Sequence, residues 1–290
     1  CACIPVIYFY YTVYKSCTTE EKKPMGTMFT IFGIVIVFWA VFKLNGTALT
    51  TYANSYTDRE MPSVLVKPTQ AMYICDNSVV ATKDSVVKLD QHFRKIKDVN
   101  GAPIKEFGYP SYFKNLSPEN YPEPNKSLNL IPTELFQSIN PFFIVILTPV
   151  VLSFFAFLRL RGKEPSTPAK IGYGLLVTGL STLVMVAAVY STDIHHDKTS
   201  AIWLIGCYGV VTIGELFLSP IGLSLVSKVA PVRITSLMMG GWFLATSIGN
   251  KLSGVLSSLW DNYDNKANFF LVNFIACTLA GLAIFAMLKW

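Results

Sequence analysis

Long apolar runs separated by short polar stretches dominate the pattern along the chain. Six of these runs are long enough for a helix to cross the hydrocarbon core of a bilayer, which takes roughly 17 to 25 residues. The runs are 28–53, 134–158, 171–191, 201–227, 234–259 and 267–288. Residues 1–14 are apolar and rich in aromatic side chains but too short to span, which is typical of the last part of a preceding helix. The pattern predicts an all-α integral membrane protein.

Basic residues in the short loops predict the orientation of these spans. Three loops on one side, together with Lys289, carry ten Lys and Arg residues, whereas the two short loops on the other side carry two. The first set comprises 15–27, 159–170 and 228–233, and the second comprises 192–200 and 260–268. Because cytoplasmic loops are enriched in Lys and Arg, the first set is predicted to be cytoplasmic and the first full span to run outward.

A polar segment, 54–133, separates the first two full spans and carries ten Lys and Arg against nine Asp and Glu. Its short β-branched runs and one Asn-Gly pair predict a few strands and a hairpin. The runs lie at 64–66, 79–80 and 86–87, and the pair is Asn100-Gly101. The segment is predicted to form a small extracytoplasmic insertion of mixed or β character, and a partly flexible loop is the alternative.

These boundaries divide the chain into four parts. Residues 1–27 form the end of a preceding helix and a cytoplasmic linker, and residues 28–53 form the first full span. Residues 54–133 form the insertion, and residues 134–290 form five further spans of a six-helix bundle. The chain opens at Cys1 rather than Met, which a processed lipoprotein or the interior of a longer sequence would explain. The second interpretation is the expected one.

Composition narrows the classes of function. Hydrophobic residues make up 52% of the chain and charged residues 14%, whereas soluble domains average about 25% charged residues. The net charge of +6 follows from the basic loops and does not indicate nucleic-acid binding. The sequence shows no nucleophile–base spacing, no metal-ligand cluster and no phosphate loop, so neither an enzyme nor a metal or cofactor is expected.

Glu215 is the clearest candidate for chemistry, because it lies near the centre of span 201–227. Ionisable groups at membrane depth are costly and usually mark substrate or ion pathways. A charged carboxylate there needs a water-filled cavity or a cation on another helix, and a neutral carboxyl can carry a proton. A buried pair that serves only helix packing is the alternative.

Lys43 is a second charge near the middle of a span, 28–53. About ten residues remain on its outer side, roughly 15 Å of helix, which is too far for its side chain to reach water by snorkelling. It therefore needs an anion or an aqueous cavity. Glu215 is one candidate partner, and a group on helices outside this sequence is the other.

Span 234–259 carries two neighbouring faces. Small residues recur on one face at every fourth position, which suits close helix contact. They are Gly241, Ala245, Gly249, Ser253 and Ser257. The other face aligns Trp242, Thr246 and Asn250, which fits either a ligand cavity or an interhelical hydrogen-bond ladder.

Asn140 is the last candidate that the residues alone suggest. It precedes Pro141 near the outer end of span 134–158. The side chain could cap or interrupt that helix, and it could offer its amide to a cavity.

Four blocks of sequence are distinctive when they are taken together. They begin at Phe38-Trp39-Ala40, Ile139-Asn140-Pro141, Gly214-Glu215-Leu216 and Met238-Met239-Gly240. These blocks resemble the proton-dependent oligopeptide transporters, a branch of the major facilitator superfamily. The resemblance covers all six spans, and it implies that the chain forms the C-terminal six-helix half of a major-facilitator fold, with span 28–53 as the seventh helix of the family.

The resemblance also implies roles for individual residues. Glu215 and Asn140 match positions that hold the free amino group of a peptide. The positions around the peptide side chains are matched by Trp39, Trp242, Phe243 and Thr246. Glu215 further resembles a carboxylate that pairs with a lysine of the N-terminal bundle. Lys43 stands where the family usually has an acidic residue, so it is expected to alter gating or proton coupling.

The function that the resemblance implies is proton-coupled uptake of di- and tripeptides by alternating access, with this chain supplying half of a midplane substrate site. The partners would be small peptides, protons, the lipid bilayer and the N-terminal six-helix bundle of the same protein. The expected location is a bacterial inner membrane, with 54–133 on the periplasmic side. Two alternatives are a carrier of another small solute, which Lys43 favours, and a non-transporting receptor that uses the outer insertion.

Overall fold

The computed structural model describes residues 3–71, 78–123 and 125–288, which are mostly helical. The described ranges contain nine α-helices, and the longest ones coincide with the apolar runs of the sequence. In chain order they are α1 (Cys3–Lys15), α2 (Thr19–Phe42), α3 (Ala48–Tyr56), α4 (Ser63–Ala71), α5 (Thr133–Leu160), α6 (Thr167–Ser191), α7 (Ala201–Val229), α8 (Thr235–Ser258) and α9 (Lys266–Met287).

Five helical segments in the described part of the chain are long and apolar enough to cross a membrane. They are Thr19–Tyr56, Thr133–Leu160, Thr167–Ser191, Ala201–Val229 and Lys266–Met287. Helix α8, which covers most of the predicted span 234–259, does not meet the same criterion. Glycine, serine and threonine interrupt its apolar residues and lower its mean hydropathy.

The first of these segments begins earlier than the apolar run indicates. Helix α2 starts at Thr19, where the backbone N–H of Thr18 donates a hydrogen bond of 2.9 Å to the carboxylate of Glu21. This contact satisfies one of the free N–H groups near a helix start. As a result, most of the region expected to be a linker is helical, and only residues 16–18 separate α1 from α2.

The same segment is broken in the middle by a 3-10 turn at Lys43–Gly46, which separates α2 from α3. Asn45 and Gly46 favour a break there, since asparagine competes for backbone hydrogen bonds and glycine is costly in a helix interior. The break places Lys43 at the C-terminal end of α2 instead of inside a continuous helix.

Glycines allow the helices to approach closely. A Cβ atom added at Gly214 of α7 would lie 2.9 Å from the backbone oxygen of Gly174 in α6 and would overlap the hydroxyl of Thr178. The predicted stripe of small residues on α8 packs against α2, where a Cβ atom on Gly249 would overlap the Cβ of Trp39. The close helix contact expected from that stripe is therefore confirmed.

The insertion contains α4 and several short strands. In the described ranges the strands, with β6 outside the insertion, are β1 (Thr57–Asp58), β2 (Ser78–Val80), β3 (Asp84–Val87), β4 (Lys105–Gly108), β5 (Ser127–Asn129) and β6 (Thr199–Ser200). β1 pairs in parallel with β6, whereas β2–β5 and β3–β4 are antiparallel. The turn expected at Asn100-Gly101 is present, and Gly101 adopts a φ of 81°, which glycine tolerates best.

One of the predicted strands is wrong. Residues 64–66 belong to helix α4, although two of the three are β-branched. Val64 is 82% exposed and Leu65 is 50% exposed. A strand with this sequence would need a buried face to pack, and none is formed here, so propensity alone misleads.

Two anchors hold the insertion on the adjacent ends of the helices. Lys198, which is buried, donates hydrogen bonds to the backbone oxygen of Ser55 at 3.0 Å and to Oδ1 of Asn115 at 2.8 Å. Farther along the insertion, Arg94 forms a salt bridge with Asp261, which follows α8. The insertion is thus fixed to α3, to the start of α7 and to the loop between α8 and α9.

Candidate functional site

A pair of polar side chains joins the middle of α7 to α5. The amide nitrogen of Asn140 donates to Oγ1 of Thr212 at 2.9 Å and to Oε2 of Glu215 at 3.1 Å. Asn140 is buried and Glu215 is partly buried. Helix α5 begins at Thr133 and continues through Pro141, so Asn140 neither caps nor interrupts it.

Thr212 fixes the orientation of this amide. The hydroxyl of Thr212 donates to the backbone oxygen of Tyr208 at 2.6 Å, so its proton is already used. The hydroxyl can then only accept from Asn140, which places the amide nitrogen toward Thr212 and leaves the amide oxygen free to accept. Thr212 was not singled out in the sequence, although it precedes Glu215 by three residues and shares its helix face.

The pair offers hydrogen-bond acceptors to a cation. Among the residues that the structure describes, no side-chain hydrogen bond reaches Oδ1 of Asn140 or Oε1 of Glu215. A protonated amine carries three donors and no acceptor. Hydrogen bonds between charged groups are shorter and stronger than neutral ones. The arrangement can therefore hold an ammonium group between a carboxylate and an amide oxygen.

Lys43 lies at the C-terminal end of α2, within electrostatic range of Glu215. Its Nζ is 5.9 Å from the ring centroid of Trp39 and 5.5 Å from that of Phe42. Aromatic faces and the negative end of a helix dipole both favour a cation. Lys43 interacts electrostatically with Glu215, but the two form no salt bridge in the described structure. The helix break thus supplies part of the environment that a lysine needs at this depth.

Tyr208 connects the helix break to α7 and was also missed in the sequence. It is fully buried, and its hydroxyl donates to the backbone oxygen of Asn45 at 3.0 Å. Tyr208, Thr212 and Glu215 lie at helical spacing along one side of α7. That spacing is the signal that could have identified all three residues as one polar stripe.

The two tryptophans expected around the site are both buried. Trp39 is 7% exposed, and its Nε1 has no hydrogen-bond partner within the described ranges. Trp242 is 1% exposed and lies against Gly222 of α7, where any Cβ atom would overlap its indole ring. Its ring also meets Phe32 edge-on at 5.9 Å. The structure therefore places Trp242 in the packing between α2, α7 and α8.

The other two candidates on α8 remain apart from the polar pair. Phe243 is 58% exposed, and Thr246 donates to the backbone oxygen of Trp242 at 3.3 Å. Within the described ranges, neither side chain forms a hydrogen bond with Glu215. The structure thus joins Glu215 to Asn140 by a hydrogen bond and has Lys43 within electrostatic range of Glu215, whereas Phe243 and Thr246 lie on another helix, α8.

Long apolar helices, two of which carry a partly buried amide–carboxylate pair, define a multi-pass membrane protein with a polar site among its helices. This arrangement is typical of solute transporters.

Comparisons with known proteins identify the family. The chain belongs to the POT family, whose profile, PTR2, matches residues 125–272. It is 34% identical over 154 residues to a di-/tripeptide transporter of Lactococcus lactis subsp. lactis (strain IL1403). The aligned region covers 53% of this chain and 30% of that relative. It is 32% identical over 149 residues to the uncharacterized transporter YclF of Bacillus subtilis (strain 168), again 30% of that relative and 51% of this chain.

Solved structures extend the similarity beyond the region matched in sequence. The crystal structure of peptide transporter POT in complex with sulfate superposes with a TM-score of 0.68 and 25% identity. The superposition covers 99% of this chain and 44% of the solved chain. This chain therefore spans less than half the length of the transporters it resembles. Both named relatives are transporters.

Proposed function

We propose that this chain forms the C-terminal half of a proton-coupled symporter for di- and tripeptides that works by alternating access. The observation that carries the proposal is the Asn140–Glu215 pair, which presents a carboxylate and an amide oxygen to the ammonium group of a peptide. The di-/tripeptide transporter among the relatives supports the substrate class. Neither another small solute nor a non-transporting receptor is favoured by these comparisons.

The proposal includes the architecture expected from the sequence. Helix α8 is the sixth span, with its small residues used for packing. The order of the four parts, 1–27, 28–53, 54–133 and 134–290, is retained, except that the first span begins at Thr19 instead of residue 28. Helix α5 supports the need for a second bundle, because only 11% of its most apolar 18-residue stretch is buried against the rest of the chain. The N-terminal six-helix bundle would cover part of this apolar surface and supply the other half of the site. The basic loops face the cytoplasm of a bacterial cell, and the insertion faces the periplasm.

Individual residues take the following roles in the proposal. Glu215 binds the ammonium group and takes part in proton coupling. Asn140 holds the Glu215 carboxylate through its amide nitrogen and accepts from the ammonium group through its amide oxygen. Lys43 competes with the substrate amine for Glu215 and so contributes to gating. The surroundings of the peptide side chains are formed by Trp39, Phe243 and Thr246, with Trp242 supporting them from the helix core.

Substitution of Glu215 by glutamine in the full-length protein tests this function. Glutamine keeps the size of the side chain and a hydrogen bond to Asn140 but removes the charge and the ability to take up a proton. We expect Glu215→Gln to abolish uptake of a labelled dipeptide against its gradient in proteoliposomes with an imposed proton gradient. Glu134→Gln, an exposed carboxylate at the start of α5, is the matched control and should transport normally. Unchanged proton-driven uptake by Glu215→Gln would remove this residue from the mechanism.

A further inference from the structure

A cavity of about 600 Å³ lies between α5, α6 and α7, and the Asn140–Glu215 pair does not line it. We call it the basic cavity. Its polar lining comes from the loop between α5 and α6 and from the ends of the adjacent helices, which are the ends marked by basic residues. The charged side chains that line it are Arg159, Glu164, Lys170 and Lys228.

The charges of the basic cavity do not cancel. Glu164 accepts from Nε of Arg159 at 2.7 Å and from Nζ of Lys170 at 2.5 Å. These hydrogen bonds lower the pKa of Glu164 to about 2, so its carboxylate stays ionised at neutral pH. Lys228 forms no salt bridge in the described part of the chain. Three cations therefore face one carboxylate, which leaves an excess of two positive charges in the lining.

Apart from the hydroxyl residues Ser166, Thr167 and Ser224, the remaining wall of the basic cavity is apolar. It includes Val151, Leu152, Phe155, Leu216 and Ile221. Leu152 is 64% exposed, and the ring of Phe155 lies 4.4 Å from Nζ of Lys170. Helix α6 begins at Thr167, on the rim of the same cavity, and its positive end adds to the attraction for an anion. A cationic rim thus continues into an apolar wall along two membrane-length helices.

We propose that the basic cavity binds an anionic phospholipid, with the phosphate of the headgroup at Lys170 and Lys228 and an acyl chain along the wall formed by α5 and α7. A soluble phosphate would satisfy the cations but would leave the apolar wall exposed to water. A zwitterionic lipid would fill the wall but would not neutralise the excess positive charge. Basic pockets between membrane helices on the cytoplasmic side are suited to anionic headgroups. This site is separate from the proposed peptide site and goes beyond it.

Lipid retention by the full-length protein tests the proposal. The protein is purified in detergent, and bound phosphatidylglycerol and phosphatidylcholine are measured by native mass spectrometry. One lysine near an anionic headgroup contributes about 1 kcal/mol, or roughly a fivefold change in affinity. We therefore expect Lys228→Gln to weaken phosphatidylglycerol binding about fivefold and to leave phosphatidylcholine unaffected. Ser224→Trp, which would fill the cavity without changing its charge, should abolish the bound phosphatidylglycerol.

Lys163 provides the matched control. It is an exposed lysine of the loop between α5 and α6 that does not line the cavity. Equal losses in Lys163→Gln and Lys228→Gln would show that the membrane surface attracts lysines in general, and would overturn the proposal. Binding of glycerol phosphate as tight as that of phosphatidylglycerol would indicate a soluble ligand and would overturn it too. The experiment measures bound lipid and not peptide uptake. Absence of the lipid site and absence of the peptide site can therefore be distinguished.

Discussion

The amide of Asn140 allows a sharp test of the candidate site, because its nitrogen and its oxygen have different partners. The nitrogen holds Thr212 and Glu215 at 2.9 and 3.1 Å, whereas the oxygen is the proposed acceptor for the substrate ammonium group. Asn140→Leu keeps roughly the same volume and removes both functions. A hydrogen bond to a charged group contributes about 1.5–3 kcal/mol. Since about 1.4 kcal/mol is a tenfold change in affinity, the Kd of a free dipeptide should rise roughly 10- to 100-fold.

The assay uses two ligands that differ only at the terminal amine. Binding of a dipeptide and of the same dipeptide with an acetylated amine is measured by calorimetry on the full-length protein. The acetylated peptide has no ammonium group to bind, so Asn140→Leu should change its Kd by less than about threefold, on the same hydrogen-bond scale. The ratio of the two effects isolates the contact between the amide oxygen and the ammonium group.

A control on the same helix separates this effect from a general loss of α5 packing. Gln137 also carries an amide, and it donates to the hydroxyl of Thr50 at 3.1 Å near the outer end of α5. Gln137→Leu should weaken both peptides equally or not at all. If Asn140→Leu also weakens binding of both peptides equally, the amide has a structural role only and does not bind the ammonium group of the substrate.

Two further predictions concern stability. Burial, together with the nearby Arg59, lowers the pKa of Lys198 from 10.5 to about 7. Between these values the docked lysine is neutral while the undocked lysine keeps its proton, so docking of the insertion strengthens as pH rises, by about 2 kcal/mol from pH 7 to 8.5. Hydrogen exchange in loop 192–200, corrected for the intrinsic rate, should show protection that increases with pH. Lys198→Met should remove this pH dependence. Protection that does not change with pH in the unmodified protein would show that burial does not lower the pKa of Lys198. Gly214→Ala should lower the melting temperature by forcing α6 and α7 apart, at a cost of about 1–3 kcal/mol. Gly206→Ala in the same helix meets no atom closer than 3.8 Å, and equal effects of the two changes would contradict the packing argument.

The polar candidates could be found in the sequence, because a carboxylate or an amide inside an apolar run stands out without any knowledge of the fold. The hydrogen bond between Asn140 and Glu215 could not be predicted in this way. The two residues are 75 positions apart, and their contact depends on how α5 packs against α7. The sequence alone left helix capping as an equal alternative for Asn140, and the observed start of α5 at Thr133 decides against it.

The environment of Trp242 shows why helix periodicity is not sufficient on α8. Periodicity places this residue beside the small-residue stripe, on a face that could line a cavity. The deciding feature is Gly222 on another helix, which leaves a space that the indole fills. A large side chain beside a stripe of small residues enters the helix core when a neighbouring helix has a matching glycine. Such a match between distant positions cannot be recognised from one sequence.

The break in the first span determines how Lys43 and Glu215 can move relative to each other. The C-terminal end of α3 is joined to the start of α7 through β1 and β6, and the buried Lys198 strengthens this connection. One end of the segment that carries Lys43 is therefore held to one end of the helix that carries Glu215. A change in the distance between these side chains must then arise at the 3-10 turn Lys43–Gly46 or along α7 below its start. The insertion shows no catalytic or binding motif. Through the strand pairs Thr57–Thr199 and Asp58–Ser200, which no sequence pattern indicates, it limits how far Lys43 and Glu215 can move relative to each other.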